Sequence, residues 1–105
     1  MNDEEGWTDV CGEGDLPVGQ GMEVVVGDAI VALFHDEAGW HALSGICPHH
    51  GGPLGKGSLK GCVVTCPWHG WQFDVRDGTY QHSDQLKHPT FATRVSDGRV
   101  AVRLT

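Results

Sequence analysis

Two short segments of the chain crowd cysteine, histidine, proline and glycine together. The first reads CPHHGGPLG over residues 47–55, and the second reads CPWHGW over residues 66–71. Each segment offers one thiol with at least one imidazole within three residues of it. Two such loops lying side by side would present two sulfur and two nitrogen donors, which is a complete ligand set for a metal centre.

Two kinds of metal centre use two cysteines and two histidines. Structural zinc accepts this ligation, so a zinc-stabilised interaction module without redox activity is one interpretation. Zinc fingers pair cysteine with cysteine and histidine with histidine, however, whereas each segment here contributes one of each. An iron–sulfur cluster with two cysteines on one iron and two histidines on the other needs this arrangement, because the loops grip it from two sides. The pattern favours the cluster.

The motif resembles that of the Rieske [2Fe–2S] family. Cys47-x-His49 is followed, after sixteen intervening residues, by Cys66-x-x-His69. The resemblance covers nearly the whole chain, and it implies that the two cysteines bind the inner iron of one [2Fe–2S] cluster while the two histidines bind the outer iron. Spacing alone does not choose between His49 and His50, since Cys47-x-x-His50 repeats the spacing of the second pair. The family pattern selects His49 and places His50 beside the cluster.

The sequence departs from the respiratory Rieske proteins at four positions. Those proteins have two further cysteines that form a disulfide between the cluster loops, and this chain has Gly52 and Trp68 there. They also have a serine and a tyrosine whose hydroxyls donate hydrogen bonds toward sulfur, and this chain has Trp71 and Phe73 there. Fewer donors to sulfur stabilise the reduced cluster less, so the resemblance implies a reduction potential on the order of −150 mV.

The flanking sequence predicts a β-scaffold for the two loops. No window shows the apolar spacing of an amphipathic helix, whereas alternation and turn signals predict several short strands. The predicted strands are 22–26, 29–35, 39–43, 62–65, 71–75, 90–96 and 99–104. The last two form a hairpin through Asp97-Gly98. We expect a single all-β domain over residues 1–105, a Rieske-like antiparallel β-sandwich with a small cluster-binding subdomain of two loops at about 45–74.

Further cysteines and histidines lie outside the motif. Cys62 opens an apolar strand and is expected to be a small buried residue, whereas Cys11 lies in an acidic, glycine-rich segment and is expected to be an exposed thiol. A disulfide between these two cysteines stays an alternative. Four histidines show no ligand spacing to one another and are expected at the surface or at strand ends: His35, His41, His82 and His88.

Charge and composition exclude several kinds of partner. The 105 residues include 14 acidic and 7 basic side chains, for a net charge of −7, which disfavours nucleic acid. Residues 1–55 hold ten acids and no lysine or arginine, and these acids either keep the chain in solution or face a basic partner. Neither a signal-peptide pattern nor a membrane-spanning apolar run is present. A cytoplasmic location, with no membrane partner, is therefore expected.

The motif content predicts an electron carrier rather than an enzyme. The sequence has no phosphate loop, no flavin or nicotinamide fingerprint and no 2-His-1-carboxylate iron pattern. Resemblance to free-standing Rieske-type ferredoxins implies one-electron transfer from a flavin reductase to a terminal oxygenase, such as an aromatic-ring hydroxylating dioxygenase, in transient complexes. The alternative is the small subunit of an assimilatory nitrite reductase.

We expect Trp68 and Trp71 to shield the cluster from water. The expected docking rim comprises His50, Pro53, Leu54 and Lys56.

Overall fold

The described part of the chain is built almost entirely from β-strands. A computed structural model describes residues 6–46, 53–68 and 70–104, with only the backbone at 83–85. Within these ranges the chain forms eleven strands and two 3₁₀ turns, Glu13–Asp15 and Leu54–Lys56, and no α-helix. The predicted all-β class is confirmed.

The strands form two antiparallel sheets. In chain order they are β1 Trp7–Gly12, β2 Gln20–Val26, β3 Ala29–Asp36, β4 Gly39–Ser44, β5 Ser58–Lys60, β6 Val63–Thr65, β7 Gln72–Asp74, β8 Thr79–Tyr80, β9 Ser83–Lys87, β10 Thr90–Ser96 and β11 Arg99–Arg103. A six-stranded sheet has the order β1-β11-β10-β4-β3-β2, and a five-stranded sheet has the order β5-β6-β7-β8-β9. The five-stranded sheet therefore runs from Ser58 to Lys87, while the subdomain boundary at about 45–74 stays a prediction.

The predicted strands are all present, with ends that differ by up to two residues. Thr90–Ser96 has the predicted bounds, and its hairpin partner follows a turn in which Asp97 has φ 53° and Gly98 has φ 78°. Positive φ at both central residues is the type I′ combination, which suits the twist of a hairpin. Sequence analysis missed β1, β5, β8 and β9. These strands are short or polar, and the register shifts in the β1–β11 and β8–β9 pairs interrupt the alternation by which a strand is recognised.

Strand β3 supplies both hydrophobic cores, because its two faces are buried on different sides. Val31 and Leu33 point into a core inside the six-stranded sheet, together with residues of β1, β2, β4 and β11. Ala32 and Phe34 point the other way, into a core that also contains residues of β6 and β7. All four side chains are fully buried. Alternation along one central strand thus joins the two sheets.

Cys11 lies in the first of these cores. Its side chain is buried on β1, so the expectation of an exposed thiol was wrong. The error follows from missing β1, whose pairing with β11 turns this residue inward. Burial, with Asp15 nearby, raises the pKa of the Cys11 thiol. Cys11 and Cys62 are both free thiols, so the alternative of a disulfide between them is not realised.

Two glycines mark places where the backbone is approached closely. A Cβ atom at Gly21 on β2 would collide with the ring of Phe34 on β3. Gly78 has φ 80°, and a Cβ atom there would collide with the carbonyl of His88. The turn before β8 therefore packs directly on the connection between β9 and β10, which only glycine permits.

Candidate metal centre

The first cysteine–histidine loop is closed at its base by backbone hydrogen bonds. Ile46 and Pro53 form an antiparallel bridge across the loop. The Gly45 amide donates to the Ile30 carbonyl at 2.8 Å, and the Leu54 amide donates to the Gly45 carbonyl at 3.0 Å. These bonds bring the two ends of the loop together and fix them to β3. The predicted ligands Cys47 and His49, with His50, lie outside the described residues.

The second loop is a tight turn between β6 and β7. Cys66 directly follows β6, and its amide donates to the carbonyl of Trp71 at 2.7 Å, which closes the loop over residues 66–71. Gly70 has φ 74°, a left-handed conformation that favours glycine. The Cys66 side chain is 1% exposed. The predicted ligand His69 lies outside the described residues.

The described bases of the two loops lie together over the second core. Leu54, at the exit of the first loop, and Cys66, at the entry of the second, are buried in the same cluster as Phe34 and Phe73. Of the four predicted ligands, Cys66 is the one whose position is described. It points into protein rather than water, as expected for a ligand to an inner iron. The fold therefore brings the bases of both loops to one place.

Aromatic rings form one wall beside the second loop. Trp71 stacks on Tyr80 with ring centroids 4.6 Å apart, and Phe73 lies 5.5 Å from the same tyrosine ring. Trp68 differs, because its side chain is 50% exposed at the loop surface. Trp71 is thus held by packing on other rings, whereas half of the Trp68 side chain is exposed to solvent. The expectation that Leu54 lies on the docking rim was wrong, because its side chain is fully buried. Lys56, another residue of the expected rim, is exposed.

A buried histidine links the surroundings of the two loops. His88 is 5% exposed, and its Nε2 lies 2.7 Å from the carbonyl of Ser44, the last residue of β4. Its ring centroid lies 5.3 Å from that of Phe73. Burial lowers the pKa of His88, and the bond to the Ser44 carbonyl opposes that effect. His88 lies at a strand end, directly after β9, which was one of the two expected places, but it is buried rather than at the surface. Its position follows from the close packing of the β9–β10 connection on Gly78, which has no signal in local sequence.

Comparison with known proteins settles the family. The Rieske [2Fe–2S] domain matches residues 6–100. This chain belongs to the Rieske family. A relative in Xanthobacter autotrophicus, the ferredoxin component of an alkene monooxygenase system, is 35% identical over 95% of this Rieske chain and 83% of its own length. Apoptosis-inducing factor 3 of mouse is 38% identical over 90% of this chain, which spans only 16% of that protein.

Two solved structures superpose on the chain over most of its length. A chain from the complex of reduced oxygenase and oxidized ferredoxin in carbazole 1,9a-dioxygenase gives a TM-score of 0.85 at 31% identity, with 94% of each chain covered. A protein described as an NADH-dependent nitrite reductase small subunit, from Mycobacterium tuberculosis, gives 0.83 at 28% identity, with 91% and 92% covered. No helix in the described ranges is long and apolar enough to cross a membrane.

The cofactor of this Rieske chain is a [2Fe–2S] cluster, and the residues present fit it. The two loops carry two cysteines and three histidines, and so contain the two-cysteine, two-histidine donor set that distinguishes a Rieske cluster from all-cysteine clusters. The described bases of both loops converge, and the Cys66 thiol is buried at that place. Outside the two loops, the described residues contain no cluster of three or more His, Cys, Asp or Glu side chains that could hold a metal.

Cys62 was expected to be buried, but it is half-buried at the turn before β6. Its Sγ lies 3.8 Å from Oδ2 of Asp74. The Asp74 carboxylate also accepts hydrogen bonds from Nη2 of Arg76 at 2.7 Å and from the Arg76 amide at 2.8 Å. The side-chain bond to Arg76 is the largest cause that holds the pKa of Asp74 below its ordinary value, with burial opposing it. Cys62 thus belongs to a cluster of polar side chains with Asp74 at the end of β7 and Arg76.

The lowered pKa of Asp74 predicts a specific acid sensitivity. A carboxyl whose pKa is lower in the folded chain stabilises it above the ordinary value and loses that contribution as the pH falls through the lowered value. Because Arg76 is largely exposed, we expect a contribution of about 1 kcal/mol. Urea unfolding of the wild type and of Asp74→Asn, at about pH 6 and about pH 3, should show a difference that shrinks in acid. An equal difference at both pH values would contradict this assignment.

Proposed function

We propose that this Rieske chain is a one-electron carrier, not an enzyme, that passes electrons from a flavin reductase to a terminal oxygenase. The observation that carries the proposal is the 35% identity to an oxygenase-system ferredoxin over 95% of this chain and 83% of that ferredoxin. The likeness to the chain from the carbazole 1,9a-dioxygenase complex supports it, since ferredoxin and oxygenase are together in that complex. An aromatic-ring hydroxylating dioxygenase is one such acceptor. The carrier would act in the cytoplasm, as one domain over residues 1–105.

The proposed ligands are Cys47 and Cys66 on the inner iron and His49 and His69 on the outer iron. The motif spacing and the burial of Cys66 support this assignment. When bound, the cluster supplies a site that accepts and releases one electron. The chain's own residues hold the loops together at their bases and keep water from the inner side, where the second core is fully packed.

The proposed docking surface lies beside the two loops. Trp68 on the second loop and Ile46 at the base of the first are exposed apolar side chains, and Lys56 is an exposed base. A carrier must leave its partner after each transfer, so a small surface with a few apolar contacts suits the task. The aromatic side chain of Trp68 is of the type that dominates small interfaces.

The alternative partner is a siroheme nitrite reductase, of which this chain would be the small subunit. The superposition on the Mycobacterium tuberculosis small subunit favours it. The complete ligand motif favours the carrier, because electron transfer through the cluster needs all four ligands. Reduced protein offered to a ring-hydroxylating oxygenase and to a siroheme enzyme separates the two, since only the cognate acceptor should reoxidise it rapidly.

An anaerobic reduction titration followed by EPR tests the cluster and its potential together. We expect one electron per chain, a Rieske-type EPR signal and a potential on the order of −150 mV, since Phe73 has no polar atom to donate toward sulfur. A colourless protein that contains zinc would refute the carrier. A potential well above zero would refute the inferred lack of donors while leaving the cluster intact.

A further inference from the structure

The connection between β9 and β10 is fixed at His88 by its backbone and its side chain. The His88 amide donates to the carbonyl of Gly78 at 2.8 Å, and the ring is buried. Ser44, at the end of β4, is hydrogen-bonded to this connection. Its amide donates to the Pro89 carbonyl at 3.0 Å, and its carbonyl lies 2.7 Å from Nε2 of His88. Both polar backbone groups of Ser44 are therefore bound to residues 88–89.

Ser44 and the residue after it lead into the first ligand loop. Gly45 donates to the Ile30 carbonyl at 2.8 Å, and only Ile46 separates Gly45 from Cys47. Three peptide units link the Ser44 carbonyl to Cys47, and Gly45 and Ile46 between them are bonded to Ile30 and paired with Pro53, so a shift of this carbonyl would act on the base of the loop.

The opposite side of the His88 ring faces the strand that follows the second loop. Its centroid lies 5.3 Å from that of Phe73 on β7, with the planes 36° apart. Phe73 is fully buried in the same core as Cys66. His88 thus contacts the entry of one loop by a hydrogen bond and the exit strand of the other by ring packing.

We propose that His88 is a positioning residue for the metal centre, and that it holds the two ligand loops at their working separation. The proposal rests on the proposed ligand set and acts on it through Ser44 and Phe73 rather than through any contact with the metal. The Ser44 carbonyl can only accept, so Nε2 of His88 carries the proton and donates it. Removing this donor takes away the side-chain hydrogen bond that the Ser44 carbonyl accepts just before the first loop.

Two substitutions at His88 separate the hydrogen bond from the bulk of the ring. His88→Leu keeps an apolar side chain but removes the donor. His88→Gln keeps a donor, because its amide nitrogen lies at nearly the same distance from the backbone as Nε2 of histidine. His35→Leu is the matched control: Nδ1 of His35 bonds the Leu16 carbonyl at 2.7 Å and its ring stacks on Trp40 at 4.0 Å, away from both loops.

The first measurement is the rate at which each purified holoprotein releases iron to an excess of chelator. We expect release about 10- to 100-fold faster from His88→Leu than from the wild type, as for other residues that orient metal ligands. His88→Gln should release iron within about threefold of the wild-type rate, and so should His35→Leu even if its melting temperature falls. Wild-type release from His88→Leu, or equal acceleration in His35→Leu, would overturn the proposal.

The second measurement is amide hydrogen exchange at Ser44 and Gly45. We expect these amides to exchange about tenfold faster in His88→Leu and at the wild-type rate in His35→Leu. This result does not depend on which metal the loops hold, so a wild type without a Rieske EPR signal would refute the proposed function alone. If His88→Leu does not fold, His88→Gln decides by the same exchange: unchanged amides support the role of the donor, and accelerated amides overturn it.

Discussion

Replacing Cys66 with alanine is expected to abolish [2Fe–2S] binding, with complete loss of the visible absorption and EPR signal of the purified protein. The thiolate is one of four proposed ligands, and the methyl group of alanine has no donor atom to replace it. Iron and sulfide content per chain, measured after expression under identical conditions, is the check. Because the cluster ties two loops together, we also expect a lower melting temperature.

Two matched controls for Cys66→Ala are present in the same chain. Cys62 lies at the start of the same hairpin, and Cys11 is also buried, in the other core. Cys62→Ala and Cys11→Ala should keep a full complement of iron, whatever they cost in stability. Loss of the cluster from either variant at unchanged melting temperature would contradict the ligand assignment.

The adjacent histidines of the first loop provide the same comparison for nitrogen. We expect His49→Ala to lose the Rieske signal and His50→Ala to keep it, because the family pattern selects the first of the pair. A cluster retained by His49→Ala and lost by His50→Ala would exchange their roles. His69→Ala should behave as His49→Ala does.

Phe34→Ala is expected to destabilise the protein by about 3–5 kcal/mol, a large part of the stability of a chain of this size. The ring is fully buried in the second core, where it joins β3 to the strands on either side of the second loop. Its loss would leave a cavity between the two sheets. Urea unfolding gives the free-energy change, and iron release to a chelator shows whether the loops loosen with it.

Leu33→Ala is the control for Phe34→Ala, since Leu33 is the preceding residue on β3 and is buried in the first core. We expect a cost of about 3–5 kcal/mol there too, without faster iron release once the comparison is made at equal fractions of folded protein. Equal acceleration of release in both variants would mean that global stability, not the junction between the sheets, governs cluster retention.

Most of the sheet scaffold was predictable because its strands carry local signals. The hairpin around Asp97-Gly98 alternates on both sides of a turn that demands positive φ, and its first strand was predicted with the observed bounds. The missed strands lack such signals. β1 contains a register shift that breaks its alternation, so the strand was not predicted. Cys11 was therefore expected to be exposed.

The sequence by itself determined the chemistry of this protein. Two cysteines and two histidines at Rieske spacing predicted the [2Fe–2S] cofactor, because this donor pattern depends on residue type and on short-range spacing within each loop. The tertiary structure alone decided what surrounds the centre. His88, Ser44 and Phe73 are far apart in the chain and meet only because the β9–β10 connection packs on Gly78. Contacts of this kind follow from the packing of whole sheets, so no local sequence pattern predicts them.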